Sequence, residues 1–359
     1  MMKILVIQQK KIGDVLVSSI LCDNLRRIYP NAQIDYMVYK STIDVLIGNT
    51  TIDNLILFEE KHRTSKLELL KFILSIRNEK YDLIIDAYSK LESWLVVLFS
   101  NAQQKISYNK KGLNWLYTKT IERPRSSATN YGLIIDERLA LLEAIKINIK
   151  PDPFPKIYVS KDETDFARAL FIKNNIDCSK KTVMVSIIGS ESNKTYPLQY
   201  MVKVIDRIAD SNNVNLLFNY IPSQVEDARF IFNHCKESTK PKIYFDVLGN
   251  NIRDFIAIMN QCDVIIGNDG GAINIAKSLK KPSFTIYSPF IDKKGWATFE
   301  DGKNNVSVHL NDFKPEIFIN AKQKILVKRS KEIYLDFTFD LIEPSLSKFI
   351  YHHLIQNSF

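Results

Sequence analysis

The sequence predicts an α/β protein made of two doubly wound, parallel-sheet domains. Short apolar strands alternate with amphipathic helices in two series, which implies parallel strands joined by crossover helices. The proline-rich stretch IKPDPFPKIYVS (149–160) separates the two series, and prolines make such a connector stiff and extended. The chain has 359 residues, more than the roughly 250–300 that a single core usually holds.

These observations predict four segments. An N-terminal domain covers 1–150 and a linker covers 151–159. A C-terminal domain covers 160–335, and a terminal segment, 336–359, forms a helix that packs back toward the N-terminal domain.

The first series contains four apolar strands. They are KILVIQ (3–8), QIDYMV (33–38), NLILF (54–58) and DLIIDA (82–87). A helix between the first two has its apolar residues at spacings of three and four, namely Val17, Ile20, Leu21, Leu25 and Ile28. Pro30 ends this helix.

The second series contains five predicted strands and four helices. The strands are TVMVSII (182–188), VNLLFN (214–219), KIYFDV (242–247), DVIIGN (263–268) and SFTIY (283–287), and the helices cover about 198–210, 223–236, 252–260 and 271–280. Residues 311–335 show no clear period and remain unassigned. Residues 340–357 are amphipathic and predict a terminal helix.

Composition excludes several classes of protein. The net charge of +9 comes from lysines spread along the chain. A solvated basic surface is the commonest explanation of such a charge, an anionic membrane surface or a phosphorylated substrate would also fit it, and nucleic-acid binding is disfavoured. The four cysteines and five histidines lack the spacing of a zinc site or a disulfide framework. The longest apolar run, WLVVLF (94–99), is far shorter than the ~20 residues of a membrane span. We expect a cytoplasmic protein with no metal and no cofactor.

The loop KKIGDV between the first strand and helix carries the first candidate residue, Asp14. An aspartate at a helix start commonly accepts hydrogen bonds from backbone amides, so capping alone would explain it. In a cleft, the same carboxylate would take a proton from an incoming hydroxyl, and Gly13 would leave room for the substrate. The two roles are compatible.

Two loops of the second series favour phosphate. In IIGNDGGAINIAK (265–277) a strand leads through Asn-Asp-Gly-Gly into a helix, where free amides and the helix dipole attract anions. Gly270 and Gly271 allow close approach to the backbone. In SIIGSESNKTYP (186–197) Lys194 follows Gly189 and Ser190, and a lysine there would neutralise a diphosphate leaving group. Turn formation and a solvated lysine are the ordinary alternatives.

These blocks, with DAYSKLES (86–93), resemble the bacterial heptosyltransferases, glycosyltransferase family 9, over about residues 3–290. The resemblance implies a GT-B fold of two facing Rossmann-like domains, with the acceptor in the N-terminal domain and the nucleotide sugar in the C-terminal domain. It implies metal-independent, inverting transfer of a sugar, typically from ADP-heptose, to a lipopolysaccharide-core or related lipid-linked glycan at the inner face of the cytoplasmic membrane.

The resemblance also implies roles for individual residues. Asp14 is then the catalytic base. The implied donor and phosphate ligands are Gly189, Ser190, Lys194, Glu226, Asn268, Asp269, Gly270, Gly271 and Asn274. The implied acceptor ligands are Gly13, Tyr88, Ser89, Glu92 and Arg138. For Arg138, an ordinary ion pair along its helix is the competing explanation.

The chain departs from the family pattern in both domains. Gly270 and Asn274 stand where the family usually has Thr and His, so the donor remains open. Glu92 stands where many members have Lys, which disfavours a strongly acidic acceptor at that point. The alternatives are therefore a nucleotide-sugar-binding protein without transfer activity, a transferase that uses another donor sugar, and an enzyme that epimerises or hydrolyses a nucleotide sugar.

Overall fold

The computed structural model describes residues 1–145, 148–210 and 213–355. The chain divides into two compact units, Met1–Tyr158 and Val159–Phe359, called unit 1 and unit 2 below. The division falls at the end of the predicted linker, 151–159.

Unit 1 is a parallel α/β fold. Its strands are β1 (Lys3–Ile7), β2 (Gln33–Tyr39), β3 (Asn54–Phe58), β4 (Leu83–Asp86), β5 (Gln104–Tyr108) and β6 (Lys119–Ile121), and its helices are α1 (Ile12–Ile28), α2 (Lys61–Thr64), α3 (Lys66–Asn78), α4 (Leu91–Phe99) and α5 (Leu133–Ala140). Within the described residues these strands form one parallel sheet in the order β3-β2-β1-β4-β5-β6. The strand order reverses between β1 and β4, and in such sheets ligands bind beyond the carboxyl ends of the strands at this switch point.

Unit 2 repeats the architecture. Its strands are β7 (Lys181–Ser186), β8 (Val214–Phe218), β9 (Ile243–Tyr244), β10 (Val264–Asn268), β11 (Ser283–Ile286) and β12 (Asn305–Val308), and its helices are α6 (Lys161–Lys173), α7 (Leu198–Asp210), α8 (Val225–His234), α9 (Ile252–Gln261), α10 (Gly271–Ser278), α11 (Lys293–Trp296), α12 (Gln323–Leu335) and α13 (Phe339–Ile350). The described strands form a second parallel sheet, β12-β11-β10-β7-β8-β9, with its switch point between β10 and β7.

Burial explains why the strands are so apolar. Ile4–Ile7 of β1 are fully buried, as expected for a parallel sheet covered by helices on both faces. On one face of unit 1, α3 and α4 pack into a core with residues of β1, β2 and β4. The predicted fold class is therefore confirmed.

The connector belongs to unit 1. The backbone of Asp152 exchanges two hydrogen bonds with the side-chain amide of Asn24 in α1, at 2.7 and 2.8 Å. Lys156 is 3.6 Å from the buried Asp23 of the same helix. These contacts hold the proline-rich segment against the surface of α1.

The terminal helix differs from the prediction. We expected it to pack back toward the first domain, but α13 packs against α7 of unit 2, and Arg207 and Glu343 pair at 3.1 Å between the two helices. Its apolar side chains, including Leu346 and Phe349, are needed to complete the core of unit 2. A π-helical turn, Tyr351–Ile355, follows, and residues 356 and 357 of the predicted helix lie outside the described residues.

Candidate active site

Asp14 lies in the first turn of α1, at the carboxyl end of β1. Because the helix begins at Ile12, Asp14 is not the capping residue itself but the third helical residue. Its Oδ2 accepts a hydrogen bond from the backbone N–H of Lys11 at 3.2 Å, which is one half of a capping box. Gly13 is buried in the same turn. A quarter of the Asp14 side chain is exposed, so the carboxylate is oriented by the backbone and still accessible.

Arg138 of α5 helps to orient this carboxylate. Its Nη2 lies 3.5 Å from Asp14 Oδ1, and its side chain is only 4% exposed. The guanidinium also donates to Ser18 Oγ at 2.7 Å and to the Tyr108 hydroxyl at 3.0 Å. The ordinary alternative, an ion pair with its own helix, is present as a 3.6 Å contact to the neighbouring Glu137. The arginine is thus held inside unit 1 by several partners, one of which is Asp14.

The loop after β4 is organised by Asp86, a residue of the DAYSKLES motif to which the sequence assigned no role. Its Oδ1 accepts from the backbone N–H groups of Tyr88 and Ser89, at 3.0 and 2.8 Å, and its Oδ2 accepts from the Tyr117 hydroxyl at 2.8 Å. Ser89 adopts a left-handed conformation, with φ of 49°. Burial, with Glu92 nearby, raises the pKa of Tyr88 to about 12, so this hydroxyl is a neutral hydrogen-bond donor.

Glu92 borders a cavity of about 340 Å³, and Arg63 lies across from it. The cavity is lined by Glu60, His62, Arg63, Thr64, Leu69, Leu91, Glu92 and Leu95. Arg63 Nε is 3.9 Å from Glu92 Oε1. The sequence suggested that Glu92 makes this region acidic. In the structure Arg63 places a positive charge beside Glu92, a contact that the sequence did not predict.

Asn268 joins the two phosphate-type loops of unit 2. It ends β10 and is fully buried. Its Oδ1 accepts from the Tyr196 N–H at 2.7 Å, and its Nδ2 donates to the Ser186 carbonyl at 2.9 Å. Both ends of the amide therefore bond to protein groups, so the predicted phosphate ligand acts in the structure as a bridge between the loops.

Gly189 is required by close packing within the first of these loops. A Cβ at this position would lie 2.4 Å from the Lys194 carbonyl oxygen. The Gly189 N–H donates to Thr195 Oγ1 at 3.1 Å, and its carbonyl accepts from Gln224 Nε2 at 3.0 Å. The loop that carries Lys194 is thereby folded tightly onto Gly189, whereas Ser190 is exposed.

Gln224 also brings the start of α8 next to this loop. Glu226, the predicted ribose ligand, lies two residues further on, in the first turn of α8. Gln224 itself was not predicted, because no motif marks it.

The second loop presents the N-terminus of α10. Gly270 has an extended backbone, and a Cβ built on it would meet no atom within 4 Å. Asn274 donates from Nδ2 to the Gly270 carbonyl at 3.2 Å. Burial raises the pKa of Asp269 to about 6, although Lys194 and Lys277 oppose the shift. The predicted residues after β7 and β10 are therefore brought together at one switch point.

Lys277 of α10 was missed by the sequence analysis. Its ammonium donates to the Thr298 carbonyl at 2.8 Å. Burial lowers its pKa to about 8, against the opposing effects of Glu300, Asp269 and Asp301. A lysine outside any motif gives no sequence signal, although its position seven residues after Gly270 places it on the same side of the helix.

The described residues contain neither a metal-ligand cluster nor a membrane-spanning helix. No group of three or more His, Cys, Asp or Glu side chains in this part of the chain is arranged to hold a metal ion. Among the same residues, no helix is long and apolar enough to cross a membrane.

The chain has two Rossmann-like units. One carries an oriented carboxylate at its switch point, and the other carries a helix start of the kind that binds phosphate. This combination is typical of GT-B glycosyltransferases. The chain belongs to glycosyltransferase family 9 (heptosyltransferase), whose model matches residues 69–318. It is thus a glycosyltransferase.

Individual relatives agree with this assignment. The chain is 22% identical to the lipopolysaccharide core heptosyltransferase OpsX of Haemophilus influenzae over 311 residues, 85% of this chain and 84% of that protein. Its fold is similar to a glycosyl transferase family 9 structure from Veillonella parvula, with a TM-score of 0.73, 17% identity, and 94% and 98% of the two chains covered. It is also similar to E. coli heptosyltransferase WaaC with ADP-2-deoxy-2-fluoro heptose, with a TM-score of 0.62, 16% identity, and 89% and 100% covered.

Proposed function

We propose that this chain transfers a heptose from a nucleotide-diphosphate donor, ADP-heptose or a close analogue, to a lipopolysaccharide-core or related glycan. The observation that carries the proposal is the position of Asp14: a partly exposed carboxylate at a switch point, oriented by the Lys11 amide and by Arg138. The names of the relatives above supply the heptose, the ADP and the lipopolysaccharide acceptor.

The proposed reaction is an inverting displacement without a metal ion. The acceptor oxygen bonds to the anomeric carbon while its proton passes to Asp14. The bond from that carbon to the diphosphate oxygen breaks, and the diphosphate leaves with the electron pair. Lys194 and the N-terminus of α10 offset the charge that develops on the leaving group. Base, acceptor oxygen and anomeric carbon must be aligned for this attack.

The acceptor role is assigned to unit 1. Tyr88 and Ser89 lie on the loop that Asp86 holds, and Glu92 borders the cavity with Arg63. We place the reaction in the cytoplasm, at the inner membrane face when the acceptor is lipid-linked.

The Asp14→Asn variant tests the base. We expect nucleotide binding to be retained and transfer to fall at least 100-fold, because the amide cannot take the proton and general base catalysis contributes roughly 10²–10⁴-fold. Asp162→Asn is a matched control, since Asp162 is an exposed first-turn aspartate of α6. Product formation would be measured through the nucleoside diphosphate that each transfer releases. Transfer by Asp14→Asn at the wild-type rate would refute the assignment.

The donor is tested by a binding screen of ADP, UDP and GDP sugars. The open space at Gly270 and the inward bond of Asn274 favour a second candidate, in which the chain uses another donor or binds a nucleotide sugar without transferring it. Preference for a UDP or GDP sugar would select the other donor. Consumption of the donor without any acceptor would instead indicate epimerisation or hydrolysis.

A further inference from the structure

The helix α3 of unit 1 is apolar on two opposite sides. Phe72, Ile73 and Ile76 pack into the core. On the other side Leu67, Leu70 and Leu74 are exposed by 61%, 49% and 44%. A helix at the surface of a soluble protein normally has a single apolar stripe and a polar outer side. The outer leucines therefore need an explanation other than folding.

The neighbouring helix α4 has the same property. Val96 and Val97 are buried, whereas Leu91, Leu98 and Phe99 are exposed by 62%, 42% and 43%. These residues include part of WLVVLF, the longest apolar run of the sequence. The two helices pack against each other on the same side of the sheet. Their exposed residues form one surface, called the α3–α4 surface: Leu67, Leu70, Leu74, Leu91, Leu98 and Phe99.

Basic residues accompany this surface. Residues 59–80 contain six basic side chains (Lys61, Arg63, Lys66, Lys71, Arg77 and Lys80) and four acidic ones (Glu59, Glu60, Glu68 and Glu79), so the segment keeps a net positive charge. All six basic residues are exposed. Lysine and arginine stems can lie along apolar surface while their charged ends reach outward. Exposed leucines beside basic residues are typical of helices that lie in the headgroup region of a membrane.

We propose that the α3–α4 surface docks on a bilayer that contains anionic lipid. The positive charge favours a bilayer over a second copy of the chain as the partner of this surface. A second copy would bring like charges together, whereas each basic residue near an anionic bilayer is attracted to it. With 13 residues, α3 is about 20 Å long. In the docked state the helix lies parallel to the bilayer, with its outer leucines in the headgroup region.

Docking in this way extends the proposed function. Leu91 belongs to the α3–α4 surface and also lines the cavity that contains Arg63 and Glu92. The docked surface thus adjoins the loop assigned to the acceptor, so that a lipid-linked acceptor would be met at the bilayer. This consequence rests on the proposed function, whereas docking itself does not.

Vesicle sedimentation tests docking without any reaction. The probe is vesicles of phosphatidylcholine with phosphatidylglycerol, compared with phosphatidylcholine alone. We expect the wild type to bind the anionic vesicles and the combined Leu67→Gln, Leu70→Gln, Leu74→Gln variant to bind at least about tenfold more weakly, because three exposed apolar side chains no longer enter the headgroup region. The matched control replaces three exposed apolar residues of unit 2, Ile172, Ile325 and Leu335, by Gln; it should bind as the wild type does. Circular dichroism would check that all variants are folded.

The outcomes separate docking from catalysis. Equal binding by the leucine variant, equal loss in the control, or absence of wild-type binding would each overturn the proposal. A leucine-dependent dimer in sedimentation without vesicles would also overturn it, in favour of a second copy. The leucine variant should transfer sugar to a water-soluble acceptor at the wild-type rate. It should be slower only when the acceptor is embedded in anionic vesicles, whereas failure of the proposed function would abolish transfer in both formats.

Discussion

The Gly189→Ala substitution tests whether the loop that carries Lys194 binds the donor. A Cβ on Gly189 would lie 2.4 Å from the Lys194 carbonyl oxygen, whereas an ordinary contact begins at 3.4 Å. The difference means that the Lys194 backbone must move by about 1 Å. Misplacement of this size at a substrate-positioning group costs on the order of 100-fold in rate. We therefore expect kcat/KM for the nucleotide sugar to fall about 100-fold and nucleoside diphosphate binding, measured by calorimetry, to weaken.

Gly270→Ala is the matched control. Gly270 lies in the second phosphate-type loop, with an extended backbone and no atom within 4 Å of the position that an added methyl group would occupy. The methyl group should therefore leave the fold and the stability unchanged. If Gly189→Ala keeps wild-type affinity and rate, or if Gly270→Ala unfolds the protein, the packing argument is refuted.

Two further predictions concern the same unit. Asn268→Ala leaves the Tyr196 N–H and the Ser186 carbonyl without the bonds that Asn268 provides, each at a cost of ~1–3 kcal/mol. The free energy of unfolding in urea should therefore fall by about 2–6 kcal/mol, and an unchanged value would show that Asn268 is not a bridge. Burial raises the pKa of Asp269 to about 6 from 3.8, so the folded state binds this proton more tightly and stability decreases as pH rises from about 4 to 6. Asp269→Asn should remove that decrease, and parallel pH profiles for wild type and variant would contradict the assignment.

The sequence predicted the strands that are continuous apolar runs and missed the short, partly polar ones. The predicted run VNLLFN contains all of β8, whose five residues are buried. In contrast β6, KTI, and β12, NVSV, are short edge strands whose residues are partly polar. An edge strand has only one neighbour and needs no continuous apolar run. For the same reason KIYFDV, expected to form a long strand, pairs through only two residues of the edge strand β9.

The site was predictable where one motif contains all the partners. Asp14 and its Lys11 amide lie within KKIGDV, and the helix start at Gly271 follows from Asn-Asp-Gly-Gly. The contact between Asp14 and Arg138 joins residues far apart in sequence, and the pair of Arg63 and Glu92 connects two separate helices. Such contacts depend on which elements the fold brings together, and one sequence does not contain that information.

We expect one side of α10 to set the donor preference. Gly270, Asn274 and Lys277 follow one another at spacings of four and three, so they share that side. The family pattern places Thr and His at the first two positions, but here the first is open and the second bonds inward to the Gly270 carbonyl. A positively charged side chain follows one turn later, at Lys277. Burial lowers the pKa of Lys277 to about 8, although Glu300 and Asp269 oppose the shift. Because its ammonium is bonded to the Thr298 carbonyl, we expect Lys277 to act on a bound diphosphate only through its charge and to leave the space beside Gly270 open to the donor. A donor with an additional polar group at that place would regain the contacts that the family obtains from Thr and His, which makes the nucleotide-sugar screen the decisive measurement.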